Sequence, residues 1–253
     1  MSEPVLSIIT TTSNNAYGLR LTAKSIAVQQ QFTNFEWIVV DSGSTDNTAE
    51  IVGEYATENT QFMTTEDDNV FAMLNKGMDN ASGRYLWFLS AGDCLSDAYV
   101  LRDIAKQIQY NLAPDFIYAD TRMNGHIHKP RDASRFVWGT IGPMPARLYR
   151  KNMVAELRHD LKYPLASDYS LLLQILARAK KIFYYPRIIC DLAPQEISDI
   201  HAEELCWEQY YIRRHLLAMN RFKNKFIMRI SRIMYFLQRR VPFVYRLMQI
   251  FGR

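Results

Sequence analysis

An α/β fold, a sheet flanked by helices, is what this 253-residue sequence predicts, and three observations carry the expectation. Short runs rich in β-branched and aromatic residues alternate with longer segments whose apolar residues recur at helical intervals. The strand-like runs are apolar throughout rather than at every second position, the pattern of strands covered on both faces and hence paired in parallel. Cap and turn residues (Asp, Asn, Ser and Thr) follow those runs closely.

Each element can be justified in order. VLSIITT (5–11) is the first strand, and a helix is expected from Ala16 to Gln30. FEWIVVD (35–41) is the second strand; DSGSTD then offers Ser44, Thr45 or Asp46 as a cap for a helix from Asn47 to Tyr55. A third strand around QFMTTE precedes a helix from Phe71 to Ala81, and GRYLWFLS (83–90) is the fourth strand. RMNGHIHK reads as a hairpin turning at Asn124-Gly125, residues that tolerate the positive φ of a two-residue turn. Near the end, Phe226, Ile227, Ile230, Ile233, Met234 and Leu237 recur at helical spacing; Pro242 should end that helix and start another, from Val241 to Phe251.

Composition narrows the function classes. With 48% apolar residues the chain can bury a sizeable core, so disorder is excluded as the general state. The net charge of +4 is uneven: residues 221–253 carry nine Lys or Arg and no acid, leaving 21 basic against 26 acidic side chains elsewhere. Cys94, Cys190 and Cys206 are odd in number and lack CxxC spacing, which argues against a disulfide framework and a structural zinc site. The N-terminus lacks the basic and apolar segments of a signal peptide, and no 18-residue apolar run is present, so a cytoplasmic location is expected.

In parallel sheets ligands sit outside the carboxyl ends of the strands. Thr10, Thr11 and Thr12 end the first strand, Asp41 the second, Glu66 to Asp68 follow the third and Asp93 the fourth. Any one acid reads as an ordinary turn or cap residue, but three of four strand ends carry one. Neither G-x-G-x-x-G nor G-x-x-x-x-G-K-[ST] occurs, so this is neither a dinucleotide fingerprint nor a P-loop. Such an edge suits a base or ribose held by hydrogen bonds and a diphosphate held through a divalent cation.

Three strings, SIITTT, FEWIVVDSGSTDNT and NKGMDNASGRYLWFLSAGD, in this order and spacing, resemble the glycosyltransferase family 2 enzymes of the GT-A, Rossmann-like fold, especially those that build bacterial exopolysaccharide and O-antigen. The likeness spans roughly residues 5–95 and continues faintly through LRHDLKYPLASDYSLLLQIL. It implies a nucleotide-sugar-binding half over 1–95 and an acceptor-binding half over 96–205; beyond them charge and apolar spacing mark 206–253 as a basic amphipathic helical tail. It further implies that Asp41 accepts from the donor's nucleobase and that Thr10, Thr11, Ser44, Asp68 and Lys76 belong to the same nucleotide site. Asp93 would ligate the Mg²⁺ or Mn²⁺ that bridges the diphosphate, and Asp168 would be the general base of an inverting single displacement. The donor would be a nucleoside diphosphate sugar and the acceptor a lipid-linked saccharide.

The chain also departs from the family pattern. LSAGD has one carboxylate where many relatives have more; DDNVFAMLNKG lacks a glycine and has Ala72 where an aspartate stands. Met144 and Pro145 replace a His-Gln pair, and Gln195 and Glu196 a Gly-Gly pair. These losses support an alternative: a catalytically weak or inactive member that binds a nucleotide sugar or a partner transferase. His126 and His128 share a face without an evident third metal ligand, so solvent or acceptor contacts fit them better. Asp120 and Arg122 on the preceding strand are candidates to face the cleft, and Lys129 and Arg131 to contact phosphate or simply solvent. Cys94 lacks a histidine partner and reads as packing rather than a nucleophile. The basic, aromatic tail reads as an interfacial segment on anionic lipid, each basic residue contributing about 1 kcal/mol, with an ordinary packed helix or oligomer contact as the alternative. Peripheral attachment to the inner face of the cytoplasmic membrane is therefore expected, and no nucleic-acid partner, because no binding motif accompanies the tail.

Overall fold

The computed structural model describes residues 3–194 and 199–241, which fall into two compact units. The first comprises residues 1–130, 142–159 and 175–194, the second residues 131–141, 160–174 and 195–253.

The first unit begins β1 (Leu6–Thr12), α1 (Ala16–Ala27), β2 (Phe35–Asp41), α2 (Thr48–Tyr55), β3 (Thr60–Thr64), α3 (Val70–Asn80) and β4 (Tyr85–Ser90). It continues with β5 (Cys94–Leu95), α4 (Val100–Tyr110), β6 (Phe116–Met123), β7 (His126–His128), β8 (Arg147–Arg150), α5 (Lys151–Val154) and β9 (Ile182–Asp191). These strands form one sheet in the order β3-β2-β1-β4-β8-β6-β9-β5, with β7 attached to β6. The β3-β2-β1-β4 half is parallel, as the uniformly apolar runs require. The sheet turns mixed at β8, which runs antiparallel to both β4 and β6. On one side Leu6, Ile8, Trp37, Val39, Trp87 and Leu89 join Leu19, Ala23 and Ile26 of α1 and Leu101, Ile104 and Ile108 of α4 in a single core. At Gly77, α3 approaches β1 so closely that an added Cβ would overlap Cγ2 of Ile9.

The entering edge of the sheet is tied by one buried acid. Glu36 is 5% exposed. Its Oε1 accepts from Ser7 Oγ at 2.6 Å, Ser82 N at 2.5 Å and Gly83 N at 3.0 Å. Its Oε2 accepts from Ser82 Oγ at 2.9 Å and Gln61 Nε2 at 3.2 Å. The first residues of β1, β2 and β3 and the approach to β4 thus converge on one carboxylate. Ser82 and Gly83 are spent on it, so β4 starts at Tyr85 rather than Gly83.

Other boundaries shift for local reasons. α1 stops at Ala27, not Gln30, because Gln30 N donates to the Ala98 carbonyl at 2.7 Å and Gln29 Nε2 to that of Asp97 at 2.7 Å. Among the three candidate caps of α2, Asp46 acts: its Oδ1 accepts from Thr48 N at 3.1 Å and Thr48 Oγ1 at 2.6 Å. The β6–β7 hairpin turns at Asn124 and Gly125, with φ of 51° and 75°, the pair of positive values a type I′ turn demands.

The second unit contains a 3-10 helix (Ala133–Trp138), α6 (Ser167–Arg178), α7 (Asp199–Leu216) and α8 (Arg221–Arg240). Ala166, Tyr169, Leu173 and Ile212 are its buried centre. A polar lock fastens α8 to α7: buried Arg213 donates from Nε to Asn224 Oδ1 at 2.7 Å, and Asn224 Nδ2 donates to the Tyr210 carbonyl at 2.9 Å. The guanidinium also lies over the Tyr169 ring, 5.9 Å from its centroid. This lock sets how α8 is rotated, and it divides the apolar stripe expected there. Ile227 and Met228 are buried, whereas Phe222, Phe226, Ile233 and Phe236 are exposed. Pro242 and most of the second tail helix fall outside the described residues. Among the described residues, no helix is long and apolar enough to cross a membrane.

Removing the Glu36 carboxylate strands buried donors, and each such loss costs about 1–3 kcal/mol. Glu36→Ala is expected to lower unfolding free energy by roughly 3 kcal/mol, read from the denaturant midpoint; a loss smaller than about 1 kcal/mol would contradict the knot's importance.

Candidate active site

The carboxyl edge of the parallel half is organised before any ligand arrives. Asp41 is 3% exposed; its Oδ2 accepts from Ser44 N at 2.9 Å and its Oδ1 from Ser44 Oγ at 2.5 Å. Gly43, at φ 78°, permits the tight turn that brings Ser44 back to Asp41. Ser44 Oγ in turn accepts from Asn14 N at 2.7 Å, and Asn14 Oδ1 accepts from Thr45 N at 2.9 Å. Asp46 Oδ2 accepts from Ala16 N at 2.9 Å. The loops after β1 and β2 are therefore one hydrogen-bonded assembly.

Of the three threonines ending β1, Thr10 faces inward, where its Oγ1 accepts from Trp37 Nε1 at 3.0 Å. That bond ties β1 to β2 beneath the edge. Thr11 lies on the opposite face of the strand, and its carbonyl accepts from Ala91 N at 2.9 Å. Thr12 Oγ1 and Ser42 Oγ are buried without a hydrogen-bond partner among the described residues. They stand at adjoining strand ends, Ser42 N donating to the Thr12 carbonyl at 3.1 Å. Unpaired buried hydroxyls are costly, and a polar ligand would satisfy them.

Asp68 is exposed in the loop before α3, where Asn69 caps the helix by accepting from Phe71 N at 2.9 Å. Lys76 reaches back from α3 to donate from Nζ to the Thr64 carbonyl at 2.6 Å, so its charge sits at the end of β3. Asn75, its neighbour in the NKG string, exchanges hydrogen bonds with the backbone of buried His159 at 2.8 and 3.0 Å. The His159 ring stacks on Phe71 at 5.2 Å between centroids. Nothing local in the sequence announces that partner.

Asp93 is a buried carboxylate that joins two backbone segments. Its side chain is 1% exposed; Oδ2 accepts from Ser90 N at 2.9 Å and Oδ1 from Ala193 N at 3.0 Å. Burial lifts its carboxyl above the ordinary value, opposed by those two N–H donors. Among the described residues, no group of three or more His, Cys, Asp or Glu could hold a metal. The carboxylate clamps the turn after β4 to the segment after β9 and keeps a lone pair on each oxygen. Gly92, at φ 109° and with an added Cβ 3.0 Å from Ala193 Cβ, completes this close approach. Cys94 follows in β5, its thiol pushed up by burial and then by the Asp93 and Asp191 carboxylates, the opposite of an activated nucleophile.

The remaining candidates are accounted for individually. Asp120 accepts from the Tyr184 hydroxyl at 2.6 Å, and Arg122 pairs in a two-pronged contact with Asp191 at 2.5 and 2.7 Å. His126, Lys129 and Arg131 are exposed. Asp168 lies half-buried in the first turn of α6, within the second unit. The next residue, Tyr169, is buried and donates its hydroxyl to the Val137 carbonyl at 3.2 Å. Met144 and Pro145 form a short 3-10 turn with Ala146, and the Pro145 carbonyl accepts from Trp87 Nε1 at 2.9 Å. The structure thus gathers Thr11, Thr12, Asp41, Ser42 and Ser44 at one edge, puts Lys76 at the neighbouring strand end, and ties Thr10 to Trp37 and Asp93 to Ser90 and Ala193.

The clamp contributes to stability with no ligand bound. Asp93→Asn presents an amide N–H₂ to one of two backbone N–H donors and should cost about 1–3 kcal/mol of unfolding free energy. Chemical denaturation without nucleotide or metal measures it; unchanged stability would contradict the clamp.

Comparison with known proteins agrees with this fold. The model of the family described as Glycosyl transferase family 2 matches residues 7–162. A PGL/p-HBAD biosynthesis glycosyltransferase of Mycobacterium bovis is 27% identical over 204 residues, covering 75% of this chain and 76% of the relative. The putative glycosyltransferase EpsH of Bacillus subtilis is 26% identical over 184 residues, covering 66% and 53%. Among solved structures, S. aureus TarS 1-349 in complex with UDP superposes with a TM-score of 0.69 at 19% identity, covering 88% of this chain and 69% of that one. The mannosyltransferase PcManGT of Pyrobaculum calidifontis, in complex with GDP-Man and Mn²⁺, gives 0.68 at 15% identity over 100% of this chain and 80% of its own. With most of the parallel half and its edge inside the matched segment, the chain belongs to glycosyl transferase family 2 and is a glycosyltransferase.

Proposed function

We propose that this glycosyltransferase moves a sugar from a nucleoside diphosphate donor to a lipid-linked saccharide, with inversion, in the assembly of a bacterial surface polysaccharide or glycolipid. The observation that carries the donor assignment is the pair of unsatisfied hydroxyls, Thr12 and Ser42, beside Asp41 at the carboxyl edge. A nucleoside offers donors and acceptors to such a place. Support also comes from the fold neighbours solved with UDP, UDP-GlcNAc and GDP-Man, and from relatives named for PGL/p-HBAD biosynthesis.

In this reading residues 1–95 bind the donor and 96–205 the acceptor. Asp41, held by Ser44, keeps a lone pair on each oxygen for the base. Thr11 and Asp68 flank the nucleotide, and Lys76 offers positive charge to the diphosphate. The acceptor hydroxyl attacks the anomeric carbon while Asp168 takes its proton. The bond from that carbon to the diphosphate oxygen breaks, and the nucleoside diphosphate leaves with the electron pair. Mg²⁺ or Mn²⁺, held by the lone pairs that Asp93 keeps beside its two N–H donors, would neutralise charge on the departing diphosphate. The tail, residues 206–253, brings the enzyme to an anionic membrane face, supported by the exposed phenylalanines of α8 and the nine basic residues from 221 onward.

The second reading, a nucleotide-sugar binder without turnover, is favoured by the single carboxylate of LSAGD and by Ala72 in place of an acid. Two measurements separate the readings. A thermal-shift panel of UDP, GDP and dTDP with their sugar conjugates, with and without Mn²⁺, should show one nucleoside stabilising by about 2.7 kcal/mol at one hundred times its Kd. With that donor and a lipid-linked acceptor, Asp168→Asn should lower kcat about 10²- to 10⁴-fold while donor binding persists. Donor binding without turnover in the unaltered chain would favour the second reading.

A further inference from the structure

We infer that the cleft between α7 and α8 seats the phosphate of an anionic membrane phospholipid, an inference that rests on the membrane reading above. The cleft measures about 440 Å³. Trp207, Tyr210, Tyr211, Arg214 and His215 line it from α7, and Arg221 and Lys225 from α8. The aromatic residues form a built cluster: Trp207 stacks on Tyr211 at 6.1 Å, and Tyr210 meets Trp207 and Tyr211 edge-on at 5.7 and 5.6 Å.

One of the three cations is fixed in place. Arg214 Nη1 donates to the Met219 carbonyl at 2.8 Å, which holds the guanidinium at the turn between the helices. Arg221 and Lys225 are one helical turn apart in the amino-terminal part of α8, where the helix dipole adds positive potential. The Arg213–Asn224–Tyr210 lock fixes both helices, so the cluster cannot disperse by moving one of them. Among the described residues no carboxylate lines the cleft. Of the α7 acids outside it, Glu203 pairs with Arg232 at 2.9 Å and Glu208 accepts from the backbone N–H groups of Leu165 and Ala166 at 2.9 and 2.7 Å, while Glu204 lies beside Glu208. Like charges held together without a counterion repel, and a phosphate relieves that repulsion through charge-assisted hydrogen bonds.

The surroundings select a lipid phosphate over a soluble one. Phe222 and Phe226, 86% and 59% exposed, each follow a cleft cation in sequence, and Ile233 and Phe236 extend the exposed row along α8. Aromatic groups beside basic ones on a helix lying in the interface plane place the rings at the acyl boundary and the cations at headgroup level.

The test uses the full chain and vesicles of phosphatidylcholine with and without phosphatidylglycerol. Arg221→Gln/Lys225→Gln, which empties the cleft, is compared with Lys223→Gln/Arg229→Gln, which removes the same charge from exposed positions outside it. The cleft pair should weaken phosphatidylglycerol-dependent co-sedimentation about tenfold more than the control pair. The blue shift of tryptophan emission on vesicle binding should disappear in Trp207→Phe. Equal losses in the two pairs would overturn the cleft and leave a diffuse electrostatic tail. Absence of vesicle binding by the unaltered chain would remove the membrane reading itself. Inorganic phosphate producing the emission change without lipid would overturn the lipid assignment in favour of a soluble anion.

Discussion

A parallel sheet must satisfy the backbone groups entering and leaving its strands, and in this protein buried carboxylates perform that task at both edges. Glu36 gathers Ser7, Gln61, Ser82 and Gly83 at the entering edge. Asp41 folds its own turn through Ser44, and Asp93 joins the end of β4 to the segment after β9. Each acid takes hydrogen bonds that water would otherwise supply, and a buried acceptor so used costs far more to remove than it contributes net. The apolar strands supply the driving force, while these acids fix the strand ends, and with them the place where a ligand can be held.

This division of labour explains why a strand as apolar as YLWFL ends on a lone acid. Asp93 faces Ser90 N and Ala193 N, and Gly92 provides the backbone closeness that the second contact needs. A single carboxylate is sufficient for such a clamp, because each oxygen takes one N–H.

Much of the sheet was legible in the sequence because its signals are local. The apolar runs mark β1, β2 and β4 within two residues, and the Asn-Gly turn announces the β6–β7 hairpin. DSGSTD shows both the Asp41 turn and the Asp46 cap, since each partner lies two or three residues away. The partners of Asp93 and Asn75 lie 100 and 84 residues away in sequence, on Ala193 and His159, and no periodicity reports them. The bond from Trp37 to Thr10 is equally silent in the sequence, since it joins residues 27 apart on neighbouring strands.

The α8 helix shows the same limit in its sharpest form. Its apolar spacing foretells a helix but not the face that packs inward, because apolar residues occupy more than one side. Two polar residues decide it: Asn224 must meet Arg213 and the Tyr210 carbonyl, since leaving either buried group unpaired costs more than exposing a phenylalanine. Ile227 and Met228 follow Asn224 inward, and Phe222 and Phe226 are left outside next to Arg221 and Lys225. An exposed aromatic row is unfavourable in water alone and favourable at an apolar boundary. The lock that stabilises the helix pair is therefore also what generates its basic and aromatic outer surface.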